Sequence, residues 1–262
     1  MPAGLAFTLY APLAAMGDIA VGEQRGSFER PARSAVFGLV AAALGIDRTD
    51  EAGHAALDRA YRMAQRIRAP GTLVEDYHTV QAPPTDRRAR WATRREALAG
   101  PKLETLLSVR EYRADPVVDI VLIRVTEGGT TPERIAEALR RPAYTLFFGR
   151  KSCPLGLPLR PVWRDDIDRV ASLLAVLDSG EPQHVADILN RVRGGGGSQL
   201  GMPLYSDADL ADAPDMLSPD YVPIRVERRR DRVASRRRWQ FELREEVVAR
   251  PRGEPVSGEA AP

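Results

Sequence analysis

Three stretches carry residues whose types and spacing could do chemistry. Asp76-Tyr77-His78-Thr79 sets an imidazole beside a phenol, and a His with a Tyr neighbour can move protons in metal-independent RNA cleavage. The same residues fit a structural or base-stacking role, because proton transfer needs positioned partners and the sequence shows none. Arg87, Arg88, Arg90, Arg94 and Arg95 surround Trp91. Guanidiniums meet phosphates and an indole stacks on a base, so this run suits a nucleic-acid strand, or else forms a solvated basic arm. In Gly149-Arg150-Lys151-Ser152-Cys153-Pro154, two cations and a hydroxyl beside a glycine could meet a phosphate. A Walker loop is longer and runs straight into a helix, which Pro154 forbids.

Other chemistry has little support. No GxGxxG follows a strand, and His54 and His184 lack partners at metal-ligand spacing. Cys153 is the only cysteine, which excludes an internal disulfide and a multi-cysteine zinc site. We expect no cofactor, no metal and no catalytic residue. Of 38 basic residues all but Lys102 and Lys151 are Arg. A GC-rich coding sequence explains much of that bias, so clustering is the better guide. A second cluster runs through Arg228, Arg229, Arg230, Arg232, Arg236, Arg237 and Arg238 to Trp239. The two clusters could line one groove or face opposite sides.

The elements that must position these residues read as follows. Leu5, Phe7 and Leu9 alternate in a strand over 4–10. A connection over 11–32, holding Arg25 and Arg30, is long enough to suggest a binding loop. A helix spans 33–44, with Ser34 as its expected N-cap and Gly45 past its end. A shorter helix follows over 51–60. Residues 61–69 fit a helix or an edge strand, and Pro70-Gly71 ends either. Residues 72–80 read as extended, and Val117–Val125 is the strongest strand. Pro132 opens a helix to about Arg141, and 144–148 reads as a strand. The order is the ferredoxin-like β-α-β-β-α-β pattern, with an insertion over about 72–115 that projects as a hairpin arm.

After residue 160 the character changes, with helices near 167–177 and 184–192. An acidic, mobile loop is expected over 194–219, strands near 221–227 and 238–245, and a disordered tail over 250–262. We therefore divide the chain into 1–160, a smaller and mostly β region over 161–249, and the tail. The 262 residues, 44% hydrophobic and 28% charged, suit one large domain or one with an appendage. No apolar run approaches the ~18–20 residues of a membrane span and no leader is evident, so a cytoplasmic protein without membrane contact is expected.

Taken together, Asp76-Tyr77-His78-Thr79-Val80, Arg110-Glu111-Tyr112, Gly149 to Leu155 and Pro31-Ala32-Arg33-Ser34 resemble a family of CRISPR-associated proteins. It is the fifth Cas family of the RAMP superfamily, in its type I-E form, whose members hold the five-prime handle of the guide RNA in the Cascade complex. The likeness covers most of residues 4–160. It implies an α+β, ferredoxin-like (RRM-related) domain with an inserted thumb, and makes 61–69 a strand. It implies a non-catalytic scaffold whose partners are crRNA, the backbone and large subunits of Cascade, and target DNA through the complex. The alternative is a metal-independent endoribonuclease using His78 and Tyr77.

On that resemblance, Arg25, Arg33, Ser34, Tyr77, His78, Arg87, Arg90, Trp91, Arg110, Tyr112, Arg150, Lys151 and Ser152 are the expected RNA contacts. The helix starting at Arg33-Ser34 would offer its N-terminal N–H groups to a phosphate. Arg110 and Tyr112 would grip a kinked nucleotide at the thumb base, and Arg150, Lys151 and Ser152 would close the pocket.

Overall fold

The computed structural model describes residues 2–17, 22–84, 90–100, 102–192, 202–211 and 216–252. Arg87 therefore lies outside the described residues, as does the tail beyond 252. Chain order runs β1 (Gly4–Tyr10), β2 (Leu13–Ala14), β3 (Gln24–Arg25), α1 (Arg33–Leu44), α2 (Glu51–Ala60), β4 (Tyr61–Ala69) and β5 (Thr72–Ala82). Then come α3 (Arg94–Leu98), β6 (Glu104–Ala114), β7 (Val117–Arg124), α4 (Pro132–Arg140), β8 (Val162–Arg164), α5 (Val170–Ser179) and α6 (Gln183–Val192). The chain closes with β9 (Leu204–Asp207), α7 (Ala208–Ala211), β10 (Tyr221–Ser235) and β11 (Gln240–Pro251).

One sheet has the order β10-β11-β9-β4-β7-β1-β8. Its β4-β7-β1-β8 half, with every neighbouring pair antiparallel and α1 and α4 in the crossovers, is the ferredoxin-like unit. β7 explains itself. Val118, Ile120 and Leu122 join the core under α1 and α4, while Val121 and Ile123 join the one under α5. A strand buried on both faces must be apolar at nearly every position. Its one interruption, Asp119, is matched by Arg66 at 2.6 Å and by the Thr8 hydroxyl at 2.8 Å.

Several expectations need correcting. Residues 144–148 form no strand; a single bridge joins Phe147 to Pro154, and the fourth core strand is β8. The N-cap of α1 is Ala32, not Ser34, with no side-chain cap. An Asp231 carboxylate oxygen instead accepts the Arg33 N–H at 2.9 Å, so a residue 198 positions away does the capping. The stretch 194–219, expected to be a mobile loop, contributes β9, which is buried between β4 and β11. Its side chains there are Leu204, Tyr205, Ser206 and Asp207, which suit an interior sheet position. β11 also extends to Pro251, so the tail begins later than 250.

The C-terminal hairpin of β10 and β11 is tied to α1 by buried ion pairs. Arg33 meets Asp58 and Asp207, and its guanidinium also donates to the Tyr61 carbonyl at 3.0 Å. Arg244 reaches Asp207 at 3.0 Å, Asp231 at 2.7 Å and Glu246 at 2.7 Å. Burial pushes the Asp231 carboxyl up, but hydrogen bonds and charge from Arg244, then charge from Arg229, outweigh it and the net shift is downward. At Glu181 burial is likewise outweighed by Arg68 and Arg160.

A carboxyl held low stabilises the fold above its unfolded pKa, near ~4, and loses that contribution as pH falls through its lower folded value. We expect a melting temperature that is level from neutral pH down to about 5 and falls steeply below about 4. Calorimetry across that range tests this. Asp231→Asn should flatten the acid limb, and an unchanged limb would remove Asp231 from the account.

Candidate nucleic-acid interface

The thumb is a two-stranded hairpin in which β5 and β6 pair over their full eleven residues, from Thr72 opposite Ala114 to Ala82 opposite Glu104. Side chains alternate between its faces. Val74, Asp76 and His78 lie opposite Tyr112, Arg110 and Ser108, while Tyr77 lies opposite Val109 on the other face. Tyr77 and His78 therefore point away from each other. The pair the ribonuclease reading requires does not form, and His78 Nδ1 instead sits 3.1 Å from the Asp76 carboxylate. Among the described residues no cluster of His, Cys, Asp or Glu could hold a metal ion.

The base of the thumb gathers cations around one aromatic ring. Tyr112 is buried against Ala15 and Cys153, and the Arg150 guanidinium stacks over its ring at 4.6 Å. Arg110 is two residues away on the same face, and Arg25, exposed on β3, pairs in register with it. Nη1 of Arg150 and Nε of Arg110 are each buried without a hydrogen-bond partner. Buried donors left unmatched are costly, and a negatively charged group would satisfy both.

The loop that presents Arg150 is set by its glycine. The Phe148 N–H donates to the Cys153 carbonyl at 2.8 Å, and the Cys153 N–H to the Arg150 carbonyl at 2.8 Å, which makes a tight turn. Gly149 takes a left-handed backbone with φ of 92°, and a Cβ there would stand 1.8 Å from the Ala15 carbonyl oxygen. The turn is thus clamped against the chain after β2. Lys151 and Ser152 are exposed at its crest.

Not every expected contact joins this group. Arg33 is only 3% exposed and its charge is spent on Asp58 and Asp207, so the α1 N-terminus offers no free phosphate seat. Arg90 and exposed Trp91 lie at the far end of the thumb, roughly 25 Å of strand from Tyr112 at ~3.3 Å per residue. The sheet face that an RRM uses for stacking bases is covered here by α5, through Val170, Leu173, Leu174 and Leu177. That face of the sheet is therefore closed, and the thumb base stays open.

The second basic cluster is mostly structural. Arg228 pairs with Glu245, Arg229 with Asp231 and Arg232 with Asp58. At its end, Arg236 and the neighbouring Trp239 turn toward an open groove of about 590 Å³ that Ser34, Arg48, Tyr144 and Lys151 also line. Sequence reading missed Arg48 and Tyr144 as a pair with Trp239, because nothing in their spacing brings them together.

The profile of the CRISPR-associated protein family Cas_Cas5 matches residues 4–245. The chain is 30% identical over 163 residues to CRISPR system Cascade subunit CasD of Escherichia coli strain K12, covering 59% of this chain and 68% of that one. Among solved structures, a chain of a CRISPR RNA-guided surveillance complex superposes with a TM-score of 0.60 at 19% identity, over 95% of this chain and 90% of its own. A second structure, described as a Cas protein, gives 0.52 at 23% identity over 96% and 100%. At those identities the two structures speak to the fold alone. No helix among the described residues is long and apolar enough to cross a membrane.

Proposed function

Because the chain belongs to the CRISPR-associated Cas5 family, we propose that it is a non-catalytic, RNA-binding subunit of a Cascade-type complex that holds the five-prime handle of the crRNA. One observation carries the reading. Arg110 and Arg150 surround Tyr112 at the thumb base with unmatched guanidinium nitrogens, and Arg25 stands beside them. Phosphates of a kinked single strand neutralise those cations, and an unstacked base lies against the Tyr112–Arg150 stack. Ser152 adds a hydroxyl at the same turn. Target sequence is then read by guide pairing and not by this subunit.

The other surface of the thumb suits protein. Leu73, Tyr77 and Leu107 are exposed on the face of the hairpin opposite Arg110 and Tyr112, more apolar area than a free arm in water would keep. In our reading it meets neighbouring subunits, backbone or large, so that the protein caps one end of the assembly. Tyr77 belongs to that surface and not to the RNA site.

The test is a salt titration of the full chain with a labelled single-stranded RNA carrying the handle sequence. Three cations, Arg25, Arg110 and Arg150, at ~0.7 counterion per contact give a log–log slope of about −2. A nearly flat dependence would remove the phosphate site.

A further inference from the structure

We infer that the groove between α1, the loop after it and the tip of the β10–β11 hairpin is a second RNA seat, which takes one unstacked base against Trp239 and its phosphate on Arg48, Lys151 and Arg236. This rests on the RNA-binding reading above and extends it to a place apart from the thumb base. Trp239 is half exposed at the tip. The Arg48 guanidinium lies 4.4 Å over its ring and that of Arg236 5.9 Å away. Tyr144, also half exposed, lines the same groove. Aromatic faces flanked by guanidiniums are how proteins hold single-stranded bases without regard to sequence.

The charge is left uncompensated. Among the described residues Arg48, Lys151 and Arg236 form no ion pair, although Arg228, Arg229 and Arg232 of the β10 cluster do. Arg236 is 9% exposed and donates to the Ser34 carbonyl, while its Nε is buried without a partner. His54 Nε2, at the floor, is buried and unmatched as well. One carboxylate, Asp47, lines the groove, but it already accepts the Thr49 N–H at 2.8 Å and the Thr49 hydroxyl at 2.6 Å. Three cations against one carboxylate leave the groove net positive, which fits an anion.

The position of Trp239 points the same way. Its backbone is left-handed, with φ of 51°, a conformation a bulky side chain adopts at a cost and glycine adopts freely. Glu51 fixes the tip by accepting the Ser235 hydroxyl and the Arg237 N–H, the latter at 2.9 Å. A tip built only for turning would carry glycine there. Continuity completes the case: the turn at 149–152 sends Arg150 to Tyr112 on one side and Lys151 into this groove on the other. One strand can cross that turn and occupy both places.

The experiment is fluorescence anisotropy of the full chain with a single-stranded RNA of about a dozen nucleotides, intact or with one abasic position moved along it. Trp239→Gly and Arg48→Gln should each weaken the intact RNA about tenfold, the scale of one lost base stack. One abasic position should cost the wild type as much and cost Trp239→Gly almost nothing further. Trp239→Gly should melt no lower than wild type, since it relieves the left-handed strain.

Tyr112→Ala with Arg150→Gln separates the two readings. If that pair weakens binding while Trp239→Gly and Arg48→Gln do not, the second seat is wrong and the thumb-base site stands. If wild type binds no RNA, both fall. Unchanged RNA affinity in Trp239→Gly, with weaker assembly into the complex, would overturn the seat in favour of a protein contact.

Discussion

Arg33→Met lowers the unfolding free energy by about 3–5 kcal/mol, the usual cost of removing one partner from a buried ion pair. The guanidinium sits among Asp58, Asp207 and the Tyr61 carbonyl, and it also lies 4.1 Å over the Phe37 ring. Methionine fills part of the volume but removes a shared cation, leaving Asp58 with Arg232 and Asp207 with Arg244 as remaining partners. Burial, with charge from Arg244 and Arg232, lowers the Arg33 pKa even though Asp207 opposes it, yet a guanidinium keeps its proton at any physiological pH. With total stabilities of ~5–15 kcal/mol for domains, such a loss is a large share. Urea unfolding followed by circular dichroism measures it. A variant that unfolds at the wild-type midpoint but loses RNA affinity would restore Arg33 to the binding site.

Gly149→Ala abolishes correct presentation of Arg150 and Lys151, and RNA affinity falls by more than tenfold. Two independent penalties act. The left-handed backbone costs a residue with a Cβ about 1–2 kcal/mol, and forcing an atom into a packed position adds about 1–3 kcal/mol. The clash is with a backbone carbonyl, that of Ala15, which cannot swing aside as a side chain could. Ala15 is itself held, since its N–H donates to the Phe148 carbonyl at 3.1 Å. The turn must open or the chain after β2 must move, and either separates Arg150 from Tyr112. Anisotropy with single-stranded RNA, beside a melting curve, distinguishes a displaced turn from an unfolded chain. Wild-type affinity in this variant would show that the turn does not position the site.

The ferredoxin-like half was legible because its signals are local. The apolar run of β7, the Pro at the start of α4 and Gly45 with φ of 78° at the end of α1 each follow from neighbours in sequence. The thumb, too, announced itself through one extended stretch at 72–80 leading into a Pro- and Arg-rich middle, though its return strand β6 did not. The strand expected at 144–148 failed for the opposite reason. Tyr144, Leu146 and Phe148 alternate as a strand would, but the core position beside β1 is filled by Val162–Arg164, and a short alternating stretch carries no address within a sheet.

At the thumb base the residue types were legible in sequence: Arg150 stood out as a cation beside a glycine, and Arg110 and Tyr112 through the resemblance to the family. Which cations are free depends on partners that folding brings from far along the chain. Arg33 and Arg150 look alike in sequence, yet Arg33 meets Asp58 and Asp207 from elements 25 and 174 residues away. Arg150 meets a tyrosine ring and keeps an unmatched nitrogen. Availability to a ligand depends on long-range partners, and a guanidinium that has found its carboxylates inside the protein has little left to offer a phosphate. The pleat made the other decision, because adjacent residues of a strand must face opposite ways, and so Tyr77 and His78 could never act together.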